Sequence, residues 1–172
     1  MMSQKDNPGV YVPPPMIYAA FFGLASFVQS KLPINFILLR SDMLHIIGWL
    51  LILVAAGLIL TSLWRFWLSK NTLITIRSAN SLQTNGIYAY TRNPMYLALL
   101  ILYIGLACFF GNCWTFIFLP LLFFIIQHYV IGREEKYLNR TFRQDYTNYK
   151  VKVRRWIWCD CLSLAPALYP RS

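Results

Sequence analysis

Apolar residues run from Met43 to Trp64 without a charge, and Arg65 is the first interruption. The stretch 43–67 has the roughly 20 apolar residues that a helix needs to cross a bilayer, and Arg65 can reach the interface along its own methylenes. A second apolar block covers 94–131. It is too long for one span, and Gly111-Asn112 interrupts it midway. Gly and Asn punctuate chains, so the pattern predicts two helices, 94–110 and 113–131, joined by a tight turn. An earlier apolar run, 16–30, is shorter; Lys31 and Pro33 follow it, and 34–39 is apolar again. One tilted helix or a broken pair both account for it. Four spans are therefore expected, with five as the alternative. Pro13-Pro14-Pro15 precedes the first run and sets a stiff approach to it, and no cleavable signal pattern is visible.

After the last apolar run the period changes. Leu138, Phe142, Tyr146, Tyr149 and Val153 recur at spacings of 4, 4, 3 and 4, which is helical. Lys136, Arg140, Arg143 and Lys150 lie mainly off this stripe. Residues 133–155 thus read as an amphipathic helix, or two short ones, with a basic outer face. Contact with anionic headgroups suffices to explain such a face. Trp156 and Trp158, beside Arg154-Arg155, look like interface anchors.

Composition strengthens the membrane reading. Of 172 residues, 58% are hydrophobic and only 13% charged, against about 25% charged in a soluble domain. The net charge is +10, and its placement matters more than its size. Residues 68–93 hold Lys70, Arg77 and Arg92 and no acid, and most of the remaining cations lie in 132–172. With four spans both segments share one side, which the positive-inside rule makes cytoplasmic. Lys31 and Arg40 add some positive charge to the outer loop. The expected fold is all-α: an integral membrane helical bundle, one domain over 1–172, with a cytoplasmic C-terminal amphipathic segment. Cys108, Cys113, Cys159 and Cys161 lack zinc-like spacing, and His45 and His128 are isolated in apolar surroundings. Neither a metal site nor a nucleic-acid partner is expected.

Candidate chemistry comes from the hairpin. If 94–110 and 113–131 are antiparallel, Arg92-Asn93 meets Arg133-Glu134-Glu135 at the charged end. Two of the chain's six acids are adjacent there. Neighbours on a helix diverge by about 100°, so one Glu faces a site and the other faces solvent or a cation such as Arg92. Asn93 suits the N-cap position and Pro94 the first turn of the following helix. That N-terminus, with Arg92 beside it, can also receive an anionic group.

The stretch Asn80-Ser81-Leu82-Gln83-Thr84-Asn85-Gly86-Ile87-Tyr88 is followed by Arg92-Asn93-Pro94-Met95-Tyr96 and an apolar hairpin. Then come Glu134-Glu135-x-x-Leu138 and Phe142-x-x-x-Tyr146-x-x-Tyr149. This order resembles the isoprenylcysteine carboxyl methyltransferase family, with the related phospholipid methyltransferases, in a prokaryote-like form. The family pattern is close to His-x-Leu-Val-Thr-x-Gly-x-Tyr, Arg-His-Pro-x-Tyr, then Glu-Glu-x-x-Leu. The match covers about 80–155 and makes that stretch the cofactor-binding core.

The resemblance implies a membrane methyltransferase that uses S-adenosylmethionine on a lipid or other lipophilic acceptor, a carboxylate, amine or thiol. Carried over by position, the cofactor contacts are Asn80, Ser81, Leu82, Gln83, Tyr88, Asn93, Pro94, Met95, Tyr96 and Glu134. Arg92 and Glu134 are the candidate catalytic residues, and Arg92 and Arg133 the candidate substrate contacts. Asn93 and Asn80 stand where the family has His, so two titratable groups are missing. Val130 stands where the eukaryotic prenylcysteine enzymes have a substrate-binding Arg, which argues against a prenylcysteine substrate. A membrane reductase of the sterol-reductase type, binding NADPH, and a non-enzymatic membrane scaffold are the competing readings.

Overall fold

The computed structural model describes residues 9–34, 36–68 and 82–156. Among these the secondary structure is helical throughout. Helix α1 spans Pro14–Lys31, α2 Asp42–Leu68, α3 Pro94–Phe110, α4 Cys113–Ile125 and α5 Gly132–Lys152. Single 3-10 turns occur at Ile37–Arg40 and Gly86–Ala89, and a π-helical segment, Ile126–Ile131, joins α4 to α5. The apolar run at 34–39 therefore ends in a short 3-10 turn, and its described residues make no separate membrane-spanning helix. Among the described residues two helical runs, Asp42–Trp64 in α2 and Cys113–Lys152 through α4 and α5, are long and apolar enough to cross a membrane; α3 is a shorter apolar helix of 17 residues.

Helices α2 and α3 are antiparallel and nearly touch. The start of α2 meets the end of α3, where Gly48 faces Gly105 and Phe109. A Cβ on Gly48 would lie 2.7 Å from the Phe109 nitrogen and 2.9 Å from the Gly105 carbonyl oxygen. Backbone atoms cannot step aside, so the site admits glycine alone. Ala55 and Ser62 continue the buried line of α2 at intervals of seven residues. Small residues in such a line let two backbones approach, and packing then replaces the hydrophobic drive that lipid does not supply. The rest of α2 as far as Trp64 is largely exposed and apolar, as a lipid-facing surface requires.

Helix α1 runs parallel to α3 and antiparallel to α4. The Tyr18 hydroxyl donates to the Tyr96 carbonyl at 3.2 Å, Phe21 packs edge-on against Phe118, and the Trp114 indole donates to the Leu32 carbonyl at 2.9 Å. The α3–α4 turn forms where the sequence places it. Gly111 takes φ 60°, and the Asn112 side chain accepts from the Thr115 amide. The common core holds Val10, Tyr18, Tyr96, Tyr103, Leu122, Ile126, Val130, Ile131 and Trp156. Trp156 is thus no interface anchor: its indole donates to Gln127 at 2.8 Å and its ring lies on Phe123. Trp158 lies outside the described residues.

The α5 stripe divides, as one of the two sequence alternatives has it. Arg143 breaks the helix with φ 42° and ψ −111°, a conformation that costs an L-residue about 1–3 kcal/mol. Beyond the break Tyr146, Tyr149 and Val153 pack with Leu82, Leu138 and Phe142. We expect Gly48→Leu to destabilise the protein by about 1–3 kcal/mol or more, since overpacking here presses on backbone. Gly57→Ala, whose Cβ meets nothing within 4 Å, is the matched control and should hold or gain stability. Thermal unfolding in detergent checks both.

Candidate functional site

The site forms where the chain enters α3. The Gly86–Ala89 turn buries Tyr88, whose carbonyl accepts from the Tyr149 hydroxyl at 2.6 Å. The next residues are stitched to the segment after α5. The Arg92 amide donates to the Arg154 carbonyl at 2.9 Å. Thr91 Oγ1 and Asn93 Nδ2 both donate to the Arg155 carbonyl at 3.1 Å. Asn93 does occupy the N-cap position before Pro94, but its side chain makes no cap bond. It is spent on Arg155 instead, because that carbonyl lies past the end of α5 and needs a donor.

The two acids separate as helical geometry demands. Glu135 lies between two guanidinium groups: Arg92 at 3.0 Å, and Arg155 through Nε at 2.9 Å and a terminal nitrogen at 2.5 Å. The Arg92 and Glu135 side chains are each 12% exposed and Arg155 32%. Two cations on one carboxylate leave an excess positive charge. The Arg92 Nε is buried with no hydrogen-bond partner among the described residues. The bond to Glu135 holds the Arg155 guanidinium above its ordinary pKa. Tyr146, 3.4 Å from Arg92, has its hydroxyl pushed up to about 12, chiefly by burial.

Glu134 turns the other way. Its Oε2 accepts from the Tyr96 hydroxyl at 2.8 Å. Loss of water raises its carboxyl pKa, the Tyr96 bond opposes this, and the Glu135 charge adds to it. Tyr88 completes the group: burial, and then the nearby Glu134 charge, raise its hydroxyl. The π segment immediately precedes these acids. A π turn widens the helix and so re-aims the side chains beyond it; here Val130 and Ile131 face the core while Glu134 reaches α3.

The structure therefore gathers Tyr88, Asn93, Pro94, Tyr96 and Glu134, with Met95 half-buried beside them. Arg92 is one residue away but is committed to Glu135. Leu82 is packed with Tyr146 and Tyr149, and Gln83 is half-buried. Asn80 and Ser81 lie outside the described residues. Arg133 is not part of the group. It is exposed, donates to the Gly9 carbonyl at 2.7 Å, and lies 4.4 Å from the centre of the Tyr129 ring. Arg155 is a site residue that sequence reasoning misses; its one signal, a basic pair beside Trp156, reads as a headgroup contact. No group of three or more metal-binding side chains occurs among the described residues.

These residues fit the polar groups of S-adenosylmethionine. Glu134 Oε1 has no protein donor among the described residues and can accept from an ammonium or a ribose hydroxyl. The Met95 and Tyr96 amides lie in the first turn of α3, where a helix supplies no internal acceptor.

A family model of the phospholipid methyltransferases matches residues 43–145. That span takes in α2, the Arg-Asn-Pro-Met-Tyr motif, the hairpin and both acids, and stops short of Arg155. An uncharacterized protein of Haemophilus influenzae is 36% identical over 63 residues, which are 37% of this chain and 100% of that protein. No solved structure matches.

Glu135→Gln should leave Arg92 and Arg155 charged and uncompensated. Breaking a buried pair from one side costs about 3–5 kcal/mol, and partial exposure of Arg155 places this one toward the lower end. The expected result is faster amide exchange at Arg92 together with a fall in melting temperature. Glu134→Gln, which retains a hydrogen-bond acceptor for Tyr96, should change both far less.

Proposed function

Because the chain belongs to the phospholipid methyltransferase family, we propose that it transfers a methyl group from S-adenosylmethionine to a lipophilic acceptor in the membrane. The observation that carries this reading is the Glu134–Tyr96 pair, held at 2.8 Å beside the free first turn of α3. The charge distribution supports four membrane-crossing segments with this end on the cytoplasmic side, where the cofactor is available.

The residues divide the work by chemistry. Glu134 would bind the cofactor's ammonium or a ribose hydroxyl. The Met95 and Tyr96 amides would face its carboxylate. The Tyr88 and Tyr96 rings would pack on adenine or attract the sulfonium, and Asn80, Ser81, Leu82 and Gln83 remain proposed cofactor contacts. When bound, S-adenosylmethionine supplies a methyl group on a cationic sulfur, which leaves with the bonding electron pair as the acceptor's lone pair attacks in line. Such a displacement gains chiefly from positioning and exclusion of water. Arg92 and Asn93 act here as positioning residues. Through Arg155 and Glu135 they fix the turn into α3, so that Tyr96 stands opposite Glu134.

An apolar groove of about 740 Å³ is lined by Val54, Gly57, Leu58, Leu60, Thr61, Trp64, Gly86 and Ile87. It lies on the outer face of α2 and ends one residue from Tyr88. That position supports an acceptor with a hydrocarbon chain that arrives sideways from the bilayer.

Calorimetric titration of the detergent-purified protein tests the reading. S-adenosylmethionine and S-adenosylhomocysteine should bind saturably. Glu134→Gln should weaken both about tenfold or more, since a charge-assisted hydrogen bond contributes about 1.5–3 kcal/mol. Tyr96→Ala should weaken them as well. NADPH binding in their place would move the protein to the reductases, and no binding by folded protein would favour a scaffold.

A further inference from the structure

Arg133, Lys136 and Arg140 stand at i, i+3 and i+7 on the first half of α5, before the break at Arg143. That spacing puts three cations on one helix face. They line a common cavity of about 540 Å³ with Asn139 and Gly9, and no carboxylate of the described residues contributes to its lining. None of the three forms an ion pair with another described residue.

One of these cations is fixed in place. The Arg133 guanidinium donates to the Gly9 carbonyl at 2.7 Å and lies over the Tyr129 ring at 4.4 Å. Gly9 itself is anchored, because Val10 beside it is buried in the main core. Guanidinium offers five N–H donors. The Gly9 bond uses one, and the others remain for a ligand with several acceptor oxygens. A surface Arg that only repels its neighbours would swing free; this one is held at two points in front of two further cations. Tyr129 belongs to the π segment at the end of the apolar rod. The cavity therefore lies at the level where the chain changes from apolar to charged, which is headgroup depth for a membrane protein.

We propose that this cavity binds a phosphate group, Arg133 as the oriented donor and Lys136 and Arg140 as flanking charges. The site is separate from the Glu134 cluster, which faces α3, whereas Arg133 faces the N-terminal arm. It has the chemistry for the phosphodiester of an anionic lipid lying against the bundle, and equally for a soluble phosphate. Its occupant is a resident ligand, distinct from the methyl acceptor.

Native mass spectrometry of the full-length protein in detergent tests this without any cofactor, so failure of the methyltransferase reading would leave the result unaffected. Dioleoyl phosphatidylglycerol, dioleoyl phosphatidylcholine and inorganic phosphate are titrated separately. The proteins compared are the unaltered chain, Arg133→Gln, the triple variant Arg133→Gln/Lys136→Gln/Arg140→Gln, and Lys152→Gln as an exposed basic control on the same helix. Retention of phosphatidylglycerol over phosphatidylcholine is expected. It should fall about fivefold in the single variant and about a hundredfold in the triple, as expected if each interfacial cation contributes about 1 kcal/mol, with Lys152→Gln unchanged. Saturable inorganic phosphate binding with the same variant pattern, and no lipid preference, would assign the site to a soluble phosphate. Equal loss in Lys152→Gln, or no loss in a triple variant shown to be folded by its melting curve, would overturn the proposal.

Discussion

The bundle depends on how charge is disposed of at one end. Glu135 accepts from Arg92 and Arg155 at once, and these residues come from the entry to α3, the start of α5 and the segment after α5. At partial burial no one of them is comfortable alone. A carboxylate needs its cations, and the cations need it, at an effective dielectric well below that of water. The ion cluster thereby fixes the turn into α3 against the start of α5 and the segment beyond it. Backbone bonds from Thr91, Arg92 and Asn93 to Arg154 and Arg155 run alongside it and fix the same register.

This anchoring has a consequence one residue away. Once Glu135 is held by the guanidinium groups, Glu134 must point about 100° from it, toward α3, and there it meets Tyr96. The acid that serves structure and the acid offered for chemistry are neighbours because a helix separates adjacent side chains. The π segment sets the starting angle for both. Behind them, Gly48 against Gly105 brings α2 and α3 to backbone contact, so α3 is held along its length and Tyr96 keeps its place.

Helix α5 shows three different faces in one short stretch. One carries Glu134 into the cluster with Tyr88 and Tyr96. Another carries Tyr137 and Leu138 inward. A third presents Arg133, Lys136 and Arg140 to a cavity near the N-terminal arm. The two proposed sites, one for methyl transfer and one for phosphate, would therefore share a helix without sharing residues. The basic face reflects the position of this helix at the membrane boundary.

Much of the architecture was legible in the order of residues. Apolar runs located α2, α3 and α4, since period and length are local properties. Gly111-Asn112 located the turn, because left-handed backbone and an N-cap are demands that few residues meet. The spacing of Leu138, Phe142, Tyr146, Tyr149 and Val153 located the packed stripe of α5, and the motif around Arg92 to Tyr96 pointed to the methyltransferases. Partners remote in sequence were not legible. Nothing in the chain links position 92 to 155, Trp156 to Gln127, or Arg133 to Gly9. The π segment and the break at Arg143 also left no sequence mark. Sequence determined which segments form helices and that two acids stand side by side after them; tertiary packing decided that Glu135 takes the two guanidinium groups and Glu134 the Tyr96 hydroxyl, because only the folded chain brings positions 92, 96 and 155 to the start of α5.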